Sequence, residues 1–181
     1  MSDLGQILLA ILPYLALLLW LVWITWVYFF KKGAPFYPTY KRHMEDMLRL
    51  ANIQPTDRVV DIGCGDGRLV FAAAKCGAAQ TVGYEISPLW RLVCALRQII
   101  SPLGKNVRFY WRSYWKENLN AFNVVLVYQC QRTMPFLAEK LKKELSSGSR
   151  IISNTFYFPD WPPAAQIGKV YLYIVEKNAA E

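Results

Sequence analysis

The chain has 181 residues, of which 54% are apolar and 19% charged, and its formal net charge is +8. This length suits one ordinary domain, and the composition excludes a disordered chain, a collagen-like repeat and a disulfide-stapled miniprotein. Every Lys and Arg follows residue 30. The basic charge suits an anionic surface or nucleic acid, and it equally suits a surface that only keeps copies of the chain apart.

Residues 7–30 form a hydrophobic segment in which only Pro13 and Thr25 are not apolar. As a helix it would be about 36 Å long, enough to cross a hydrocarbon core of about 30 Å with some tilt. Lys31 and Lys32 end the segment, so the positive-inside rule predicts a single-pass membrane protein with its C-terminal part in the cytoplasm, or in the matrix of an organelle. A cleaved signal peptide is the main alternative, but no basic residue precedes the segment and no small-residue cleavage site follows it.

The cysteines and the single histidine lack the spacing of a metal site. A structural zinc is therefore not expected, and unpaired buried thiols are the default interpretation. The residues concerned are Cys64, Cys76, Cys94, Cys130 and His43.

The segment after the hydrophobic stretch, residues 33–40, is rich in Pro and aromatic residues and predicts a stiff linker. From about Thr39 onward, apolar residues recur at helical spacing and predict an amphipathic helix. The predicted organisation is a transmembrane anchor over residues 1–32, a linker and capping helix over 33–52, and a globular domain over 53–181.

Strands and helices alternate in the globular part, which predicts a Rossmann-like α/β fold: a mainly parallel sheet with helices on both faces. Ligands of such sheets bind at the carboxyl ends of the strands. The predicted strands cover residues 58–62, 81–85, 107–111, 123–128, 150–155 and 169–175, and the predicted helices cover about 68–76, 88–100 and 135–145.

The first strand is followed by a glycine-rich loop, Gly63-Cys64-Gly65-Asp66-Gly67, that opens a helix. Glycines let the backbone turn tightly and let a ligand approach it, and the helix start offers unpaired N–H groups. The G-x-G-x-G spacing differs from the G-x-G-x-x-G of dinucleotide sites, which disfavours a nicotinamide-dependent dehydrogenase.

Two carboxylates end neighbouring strands. Asp61 stands two positions before the first glycine, where it would repel a pyrophosphate but suit an ammonium group. Glu85 ends the next strand, where a carboxylate can accept both hydroxyls of a ribose. A ribose without a diphosphate, joined to an amino-acid end, describes S-adenosyl-L-methionine.

These residues resemble those of the class I S-adenosylmethionine-dependent methyltransferases. More narrowly, residues 35–175 resemble the membrane-associated lysine methyltransferases that modify the mitochondrial adenine nucleotide translocase or the ATP synthase c-subunit, and their prokaryotic relatives. The matching segments are 35–39, 47–51, 61–68, 82–85, 140–145 and 151–156, with Pro159 and Trp161.

The resemblance implies a class I methyltransferase sheet preceded by one transmembrane helix, and protein-lysine N-methylation at or near a membrane. It also implies S-adenosylmethionine as the cofactor, no metal, and two partners: the bilayer and a protein with an accessible lysine. The residues that it assigns to cofactor binding are Thr39, Asp61, Gly63, Gly65, Asp66, Gly67, Glu85, Ser113 and Tyr114. Ser113 stands where relatives carry an acid after the third strand.

The segment after the fourth strand, Tyr128-Gln129-Cys130-Gln131, lacks the Asn-Pro-Pro-Tyr pattern of many nucleic-acid and glutamine N-methyltransferases. This departure disfavours nucleic acid as a partner and leaves the catalytic residue unknown. Aromatic side chains near the cleft could bind a cation and exclude water. The catalytic candidates are Tyr128, Phe156 and Trp161, and Tyr40, Trp111 and Tyr114 are further aromatic candidates near the cleft.

Two alternatives stay open. One is methylation of a lipid or another small membrane amphiphile, which an anchored enzyme would reach equally well. The other is a non-catalytic module that holds S-adenosylmethionine or a partner without turnover, as the unusual residues Ser113, Gln129 and Cys130 would allow.

Overall fold

The structure is a computed structural model that describes residues 3–30 and 36–176. The chain divides into two compact units, Met1–Pro35 and Phe36–Glu181. Lys31 and Lys32, which carry the predicted membrane orientation, and residues 33–35 of the predicted linker lie outside the described residues.

The first unit contains one helix, α1 (Asp3–Phe30), with Pro13 inside it. Of the helices within residues 3–30 and 36–176, none is both long enough and apolar enough to cross a membrane. This finding contradicts the predicted single-pass membrane localisation, and the predicted transmembrane helix has no support.

The second unit alternates helices and strands largely as predicted. Its helices are α2 (Lys41–Ala51), α3 (Arg68–Lys75), α4 (Pro88–Ile100) and α5 (Met134–Glu144), with short 3-10 helices at Tyr114–Lys116 and Gln131–Thr133. Its strands are β1 (Arg58–Ile62), β2 (Gln80–Glu85), β3 (Val107–Trp111), β4 (Val124–Val127), β5 (Arg150–Asn154), β6 (Ala165–Ile167) and β7 (Val170–Ile174).

The seven strands form one mixed sheet in the order β3-β2-β1-β4-β5-β7-β6. The first five of these are mutually parallel, whereas β7 runs antiparallel to β5 and β6 runs antiparallel to β7. The predicted Rossmann-like sheet is confirmed. Strand β6 was not predicted because its three residues, Ala165–Ile167, are mostly exposed and too short a run for periodicity to indicate a strand.

Helices cover both faces of the sheet because successive residues of each strand point to opposite sides. On one face Val60, Val125 and Ile151 pack with Leu137 and Leu141 of α5. On the other face Val59, Val124 and Ile152 pack with Met47 of α2 and Leu69 of α3. These two apolar layers are the core that holds the strand ends in place.

The strand order reverses between β1 and β4, which are adjacent and parallel. The helix after β1 covers one face of the sheet, and the helix after β4 covers the other. A crevice therefore opens beyond the carboxyl ends of these two strands, where open α/β sheets bind their ligands.

Candidate functional site

The glycine-rich loop is anchored to the neighbouring strand. The backbone N–H groups of Gly63 and Cys64 both donate to the carbonyl of Tyr84 in β2, at 2.9 and 3.0 Å. Gly63, Gly65 and Gly67 have φ angles of +83°, +54° and +78°, a region that other residues rarely adopt. The loop therefore turns at the end of β1 as predicted, with its backbone facing the crevice.

Gly67 also lets the loop pack closely against the rest of the domain. A Cβ atom at this position would lie 2.7 Å from the Phe109 ring of β3 and 3.1 Å from the Cys94 Sγ of α4. The Cys94 thiol in turn donates to the carbonyl of Gly65, with sulfur and oxygen 3.1 Å apart. Glycine is thus required at residue 67 both for its conformation and for space.

The Glu85 carboxylate is buried and lies directly beside the loop. Its Oε2 accepts a hydrogen bond from the Gly65 N–H, and its Oε1 accepts one from the Ser87 N–H, each at 2.8 Å. Burial raises the pKa of Glu85, although these backbone hydrogen bonds oppose the rise. Each oxygen keeps a lone pair, so the carboxylate suits the hydroxyls of a ribose.

Asp61 is only 3% exposed. Burial, followed by the charges of Glu85 and Asp66, raises the pKa of this carboxyl to about 8. Within the described residues no hydrogen-bond donor reaches it. A buried carboxyl beside two other acids attracts a cation, so the site fits the ammonium and sulfonium charges of S-adenosylmethionine.

The third acid of the loop, Asp66, is already paired. Its Oδ2 lies 2.9 Å from Arg68 Nη2 and 3.1 Å from Arg97 Nη1. Burial pushes the pKa of Asp66 upward, but the hydrogen bonds and charge of Arg68, with the charge of Arg97, outweigh burial and lower it. The Asp66 carboxylate thus links Arg68 of α3 to Arg97 of α4.

Residues 36–40, which we call the strap, lie over the glycine-rich loop. The Phe36 ring occupies the place where a Cβ on Gly65 would stand. The same ring packs on Trp90 of α4 in a tilted arrangement, with centroids 3.9 Å apart and an interplanar angle of 32°. Thr39 is buried, and its carbonyl accepts a hydrogen bond from Arg68 Nη1 at 3.1 Å. The predicted linker therefore contributes to the wall of the crevice in its described part.

Four aromatic rings form a continuous row that leads away from the end of β4. The ring centroids of Tyr128 and Phe156 are 6.4 Å apart, those of Tyr128 and Tyr37 are 6.2 Å apart, and those of Tyr37 and Tyr40 are 6.1 Å apart. The hydroxyls of Tyr37 and Tyr40 are hydrogen-bonded at 3.1 Å, which raises the pKa of Tyr37. We call these four residues the aromatic row.

Trp161, the third catalytic candidate, belongs to a different cluster. Its ring lies 5.5 Å from the rings of both Phe158 and Tyr173. These side chains pack with the core on the α5 face, and Lys142 Nζ lies 4.7 Å from the Trp161 centroid. The structure thus brings Tyr128 and Phe156 together and gives Trp161 a packing role.

The residues after β3 reach the same edge of the sheet as Glu85. Trp111 lies opposite Glu85 in the strand register, and its indole N–H donates to the Ile86 carbonyl at 2.8 Å. Ser113 stands at the N-cap position of the 3-10 helix that follows, and its side chain makes no capping hydrogen bond. Tyr114 is buried in the core, and this burial raises its pKa.

Gln129, directly after Tyr128, is a site residue that was not predicted from the sequence. It is only 4% exposed, and its Nε2 donates to the carbonyl of Ile62 at 2.7 Å. Its Oε1 is buried and has no hydrogen-bond partner within the described residues. The signal available in the sequence was its position after β4, at the point where the strand order reverses.

The sheet order, the glycine-rich loop and the two acidic strand ends define a class I S-adenosylmethionine-dependent methyltransferase. A solved structure of an RNA methyltransferase from Salinibacter ruber, in complex with S-adenosyl-L-homocysteine, is similar, with a TM-score of 0.76 and 28% identity. The match covers 80% of this chain and 97% of that chain. S-adenosylmethionine is accordingly the cofactor that this fold and these residues fit.

The chain belongs to the ANTKMT methyltransferase domain family, whose model matches residues 61–165. It is 36% identical over 129 residues to the ATP synthase c-subunit lysine N-methyltransferase of Xenopus laevis, covering 71% of this chain and 56% of the relative. It is 32% identical over 135 residues to the adenine nucleotide translocase lysine N-methyltransferase of Mus musculus, covering 75% of this chain and 58% of the relative. The chain thus spans little more than half the length of these two relatives.

An archaeal relative is matched over nearly its whole length. The protein-lysine N-methyltransferase of Saccharolobus islandicus is 28% identical over 158 residues, covering 80% of this chain and 95% of the relative. Among the side chains that the structure describes, no group of His, Cys, Asp and Glu could hold a metal ion.

Proposed function

We propose that this chain transfers a methyl group from S-adenosylmethionine to the side-chain nitrogen of a lysine in a protein. The observation that carries the proposal is the buried pair Asp61 and Glu85 at the carboxyl edge of β1 and β2, on either side of the glycine-rich loop. The names of the relatives, which are lysine N-methyltransferases in two vertebrates and an archaeon, support lysine as the acceptor.

Each side of the loop has a distinct part in holding the cofactor. When bound, S-adenosylmethionine supplies an electrophilic methyl group on a sulfonium. In the proposal, Asp61 pairs with its cationic amino-acid end and Glu85 accepts hydrogen bonds from its ribose hydroxyls. Gly63, Gly65 and Gly67 give the loop the positive φ angles of its tight turn beside the cofactor, and Thr39, Ser113 and Tyr114 are proposed contacts around it.

The aromatic row is the proposed entrance for the lysine side chain. A lysine amine has an ordinary pKa of about 10.4, so it must lose a proton before it can react. Aromatic faces attract the charged form on entry, and burial beside a sulfonium then favours the neutral form through desolvation and like-charge repulsion. Tyr128, next to the end of β1 across the sheet, is the ring of the row that we place nearest the reacting nitrogen.

The acceptor is proposed to be a protein such as those that the relatives are named for, the ATP synthase c-subunit or the adenine nucleotide translocase. The predicted capping helix and the domain that follows it, residues 33–52 and 53–181, are the proposed enzyme unit. RNA is the second candidate acceptor, because the similar Salinibacter ruber structure is described as an RNA methyltransferase.

One labelling experiment separates these acceptors. The purified full chain is incubated with a host cell extract and S-adenosylmethionine carrying a tritiated methyl group. We expect protease-sensitive label that amino-acid analysis recovers as methylated lysine, and no label with the Glu85→Ala variant. Label that is removed by ribonuclease, label in the lipid extract, or no label at all would contradict the proposal.

A further inference from the structure

The loop after β4 contains a buried hydrogen-bond acceptor that the fold itself leaves unused. Gln129 is 4% exposed, and its Oε1 has no partner within the described residues. Leaving a buried acceptor unpaired costs roughly 1–3 kcal/mol, so native proteins rarely keep one without a reason. The amide orientation is fixed, because Nε2 donates to the carbonyl of Ile62 at 2.7 Å.

The position of this acceptor is the crevice where the strand order reverses. Ile62 is the last residue of β1, and a Cβ atom added to the next residue, Gly63, would lie 2.6 Å from Gln129 Nε2. The carboxamide therefore spans from the end of β4 to the first turn of the glycine-rich loop. It also directly follows Tyr128, a member of the aromatic row.

A ligand group that satisfies Oε1 must carry an N–H or O–H. The cationic end of the cofactor has a stronger partner in the Asp61 carboxyl, and its ribose has one in Glu85. The group still lacking a partner in the proposed reaction is the acceptor nitrogen. We propose that Gln129 is a catalytic residue whose Oε1 accepts a hydrogen bond from the N–H of the acceptor amine; this inference rests on the proposed function.

The hydrogen bond helps the reaction because the charge on nitrogen grows as the methyl group is transferred. The neutral amine uses its lone pair to form the N–C bond, while the S–C bond breaks and its electron pair stays on sulfur. The nitrogen then carries the positive charge until it releases a proton to water. A hydrogen bond from a cationic nitrogen is stronger than one from a neutral amine, so Gln129 stabilises the transition state more than the ground state.

This role predicts a dependence on the number of methyl groups already present. Neutral lysine and monomethyl-lysine carry at least one N–H, whereas neutral dimethyl-lysine carries none. Gln129 therefore assists the first two transfers, but in the third the amine has no N–H to donate to its Oε1. A residue that only held the loop in place would affect all three transfers alike.

The test uses three synthetic peptides with the sequence of the lysine site that the wild-type protein labels in the extract, carrying unmodified, monomethyl or dimethyl lysine. Single-turnover rates are measured at saturating S-adenosylmethionine for the wild type and the Gln129→Leu and Gln129→Glu variants. Gln131→Leu is the matched control, because Gln131 follows two residues later, at the start of the 3-10 helix Gln131–Thr133, and its Nε2 also donates to a backbone carbonyl, that of Tyr157.

For Gln129→Leu we expect the first two transfers to slow at least about tenfold, with the third transfer and the dissociation constant of S-adenosylmethionine within about twofold of wild type. Gln129→Glu keeps an acceptor oxygen and, at a pH where its carboxyl is ionised, cannot donate to the Ile62 carbonyl. At that pH it is expected to recover much of the lost rate, whereas a purely structural role through the Ile62 carbonyl would leave it as slow as Gln129→Leu. Gln131→Leu should match the wild type.

Three results would overturn the inference. In the first, Gln129→Leu slows every transfer equally and Gln129→Glu recovers none of the lost rate. In the second, Gln129→Leu binds S-adenosylmethionine more weakly, and in the third its transfer rates equal those of the wild type. If the wild-type protein labels no lysine in the extract, the proposed function itself fails, and the two failures are thereby distinguished. Thermal denaturation of each variant establishes that the rates refer to folded protein.

Discussion

The carboxyl group of Asp61 lies in an environment that disfavours its charged form. Burial and two neighbouring carboxyl groups raise its pKa to about 8, so at neutral pH the free protein carries it mainly in the protonated form. A cation placed beside it reverses this balance and lowers the pKa again. If Asp61 pairs with the cationic end of S-adenosylmethionine, as we propose, cofactor binding and the release of one proton are linked.

The linkage predicts that S-adenosylmethionine binds more tightly as the pH rises from 6 toward 8 and that the gain levels off above about pH 8. Below that pH, binding must expel a proton, so the affinity should change by up to about tenfold per pH unit. Calorimetric titration across this range measures both the affinity and the released proton. Asp61→Asn should bind weakly with no such pH dependence, and a wild-type affinity independent of pH would contradict the assignment.

At the residue scale, the sequence predicts the groups whose chemistry follows from position in a motif. Asp61 lies one residue before the end of β1 and Glu85 ends β2, both beside the loop. Gln129 and Phe36 were missed because their importance depends on what surrounds them in the folded chain: an acceptor without a partner and a ring over a glycine. The expectation of a metal-free reaction and the roles of the cofactor-binding residues stay predictions.

The junction between the glycine-rich loop and α3 depends on the absence of a side chain at Gly67. Gly67→Ala places a Cβ atom against Phe109 and Cys94 at a φ of +78°. Backbone strain of about 1–2 kcal/mol and overpacking of about 1–3 kcal/mol should together lower the free energy of unfolding by about 3 kcal/mol. Urea denaturation measures this loss.

The matched variant is Gly148→Ala, which has a φ of +83° but nothing within 4 Å of the added Cβ. It should show the strain alone, about 1–2 kcal/mol. If both variants lose the same stability, the close packing of the loop against β3 and α4 contributes nothing measurable.

At the element scale, apolar runs and the glycines between them predicted the five parallel strands of the sheet and the four helices of the second unit, with bounds close to those observed. The errors occur where a backbone angle or a short contact decides. Thr155 was predicted to end β5, but its φ of +69° takes it out of the strand, and β5 stops at Asn154. The strap was predicted as a linker because nothing in its composition reveals that Phe36 packs on Trp90.

Across the whole second unit, Arg150 joins segments that are far apart in sequence. Its Nη1 donates to the carbonyls of Ala51 and Asn52 at the end of α2, each at 2.8 Å, and its Nη2 pairs with the buried carboxylate of Asp57. Asp57 also accepts a hydrogen bond from Asn123 Nδ2 at 2.8 Å. One guanidinium thus fixes the amino-terminal edge of the sheet, opposite the site.

Arg150→Met removes the only cation paired with the buried Asp57 carboxylate among the described residues, leaving it the neutral donors Asn123 and Gln54, and it removes a donor from two carbonyls. We therefore expect the free energy of unfolding to fall by about 3 kcal/mol. The control is Lys41→Met, which breaks an exposed pair with Glu45 at 3.9 Å and should change stability by less than about 1 kcal/mol. Chemical denaturation compares the two. Equal losses would show that the Arg150 contacts do not tie the unit together.

The division of the crevice between β1 and β4 has a consequence for how such a protein can diversify. The glycine-rich loop and its acids come from the segment up to residue 85, whereas Gln129 and two rings of the aromatic row come from the segment after residue 127. Under the proposed function, transplanting residues 128–161 from a relative with another target would exchange the part of the acceptor site that follows β4 while Asp61, Glu85 and the glycine-rich loop stay intact. A new target can thus arise by changes confined to one segment of the chain, while Asp61 and Glu85 stay the same.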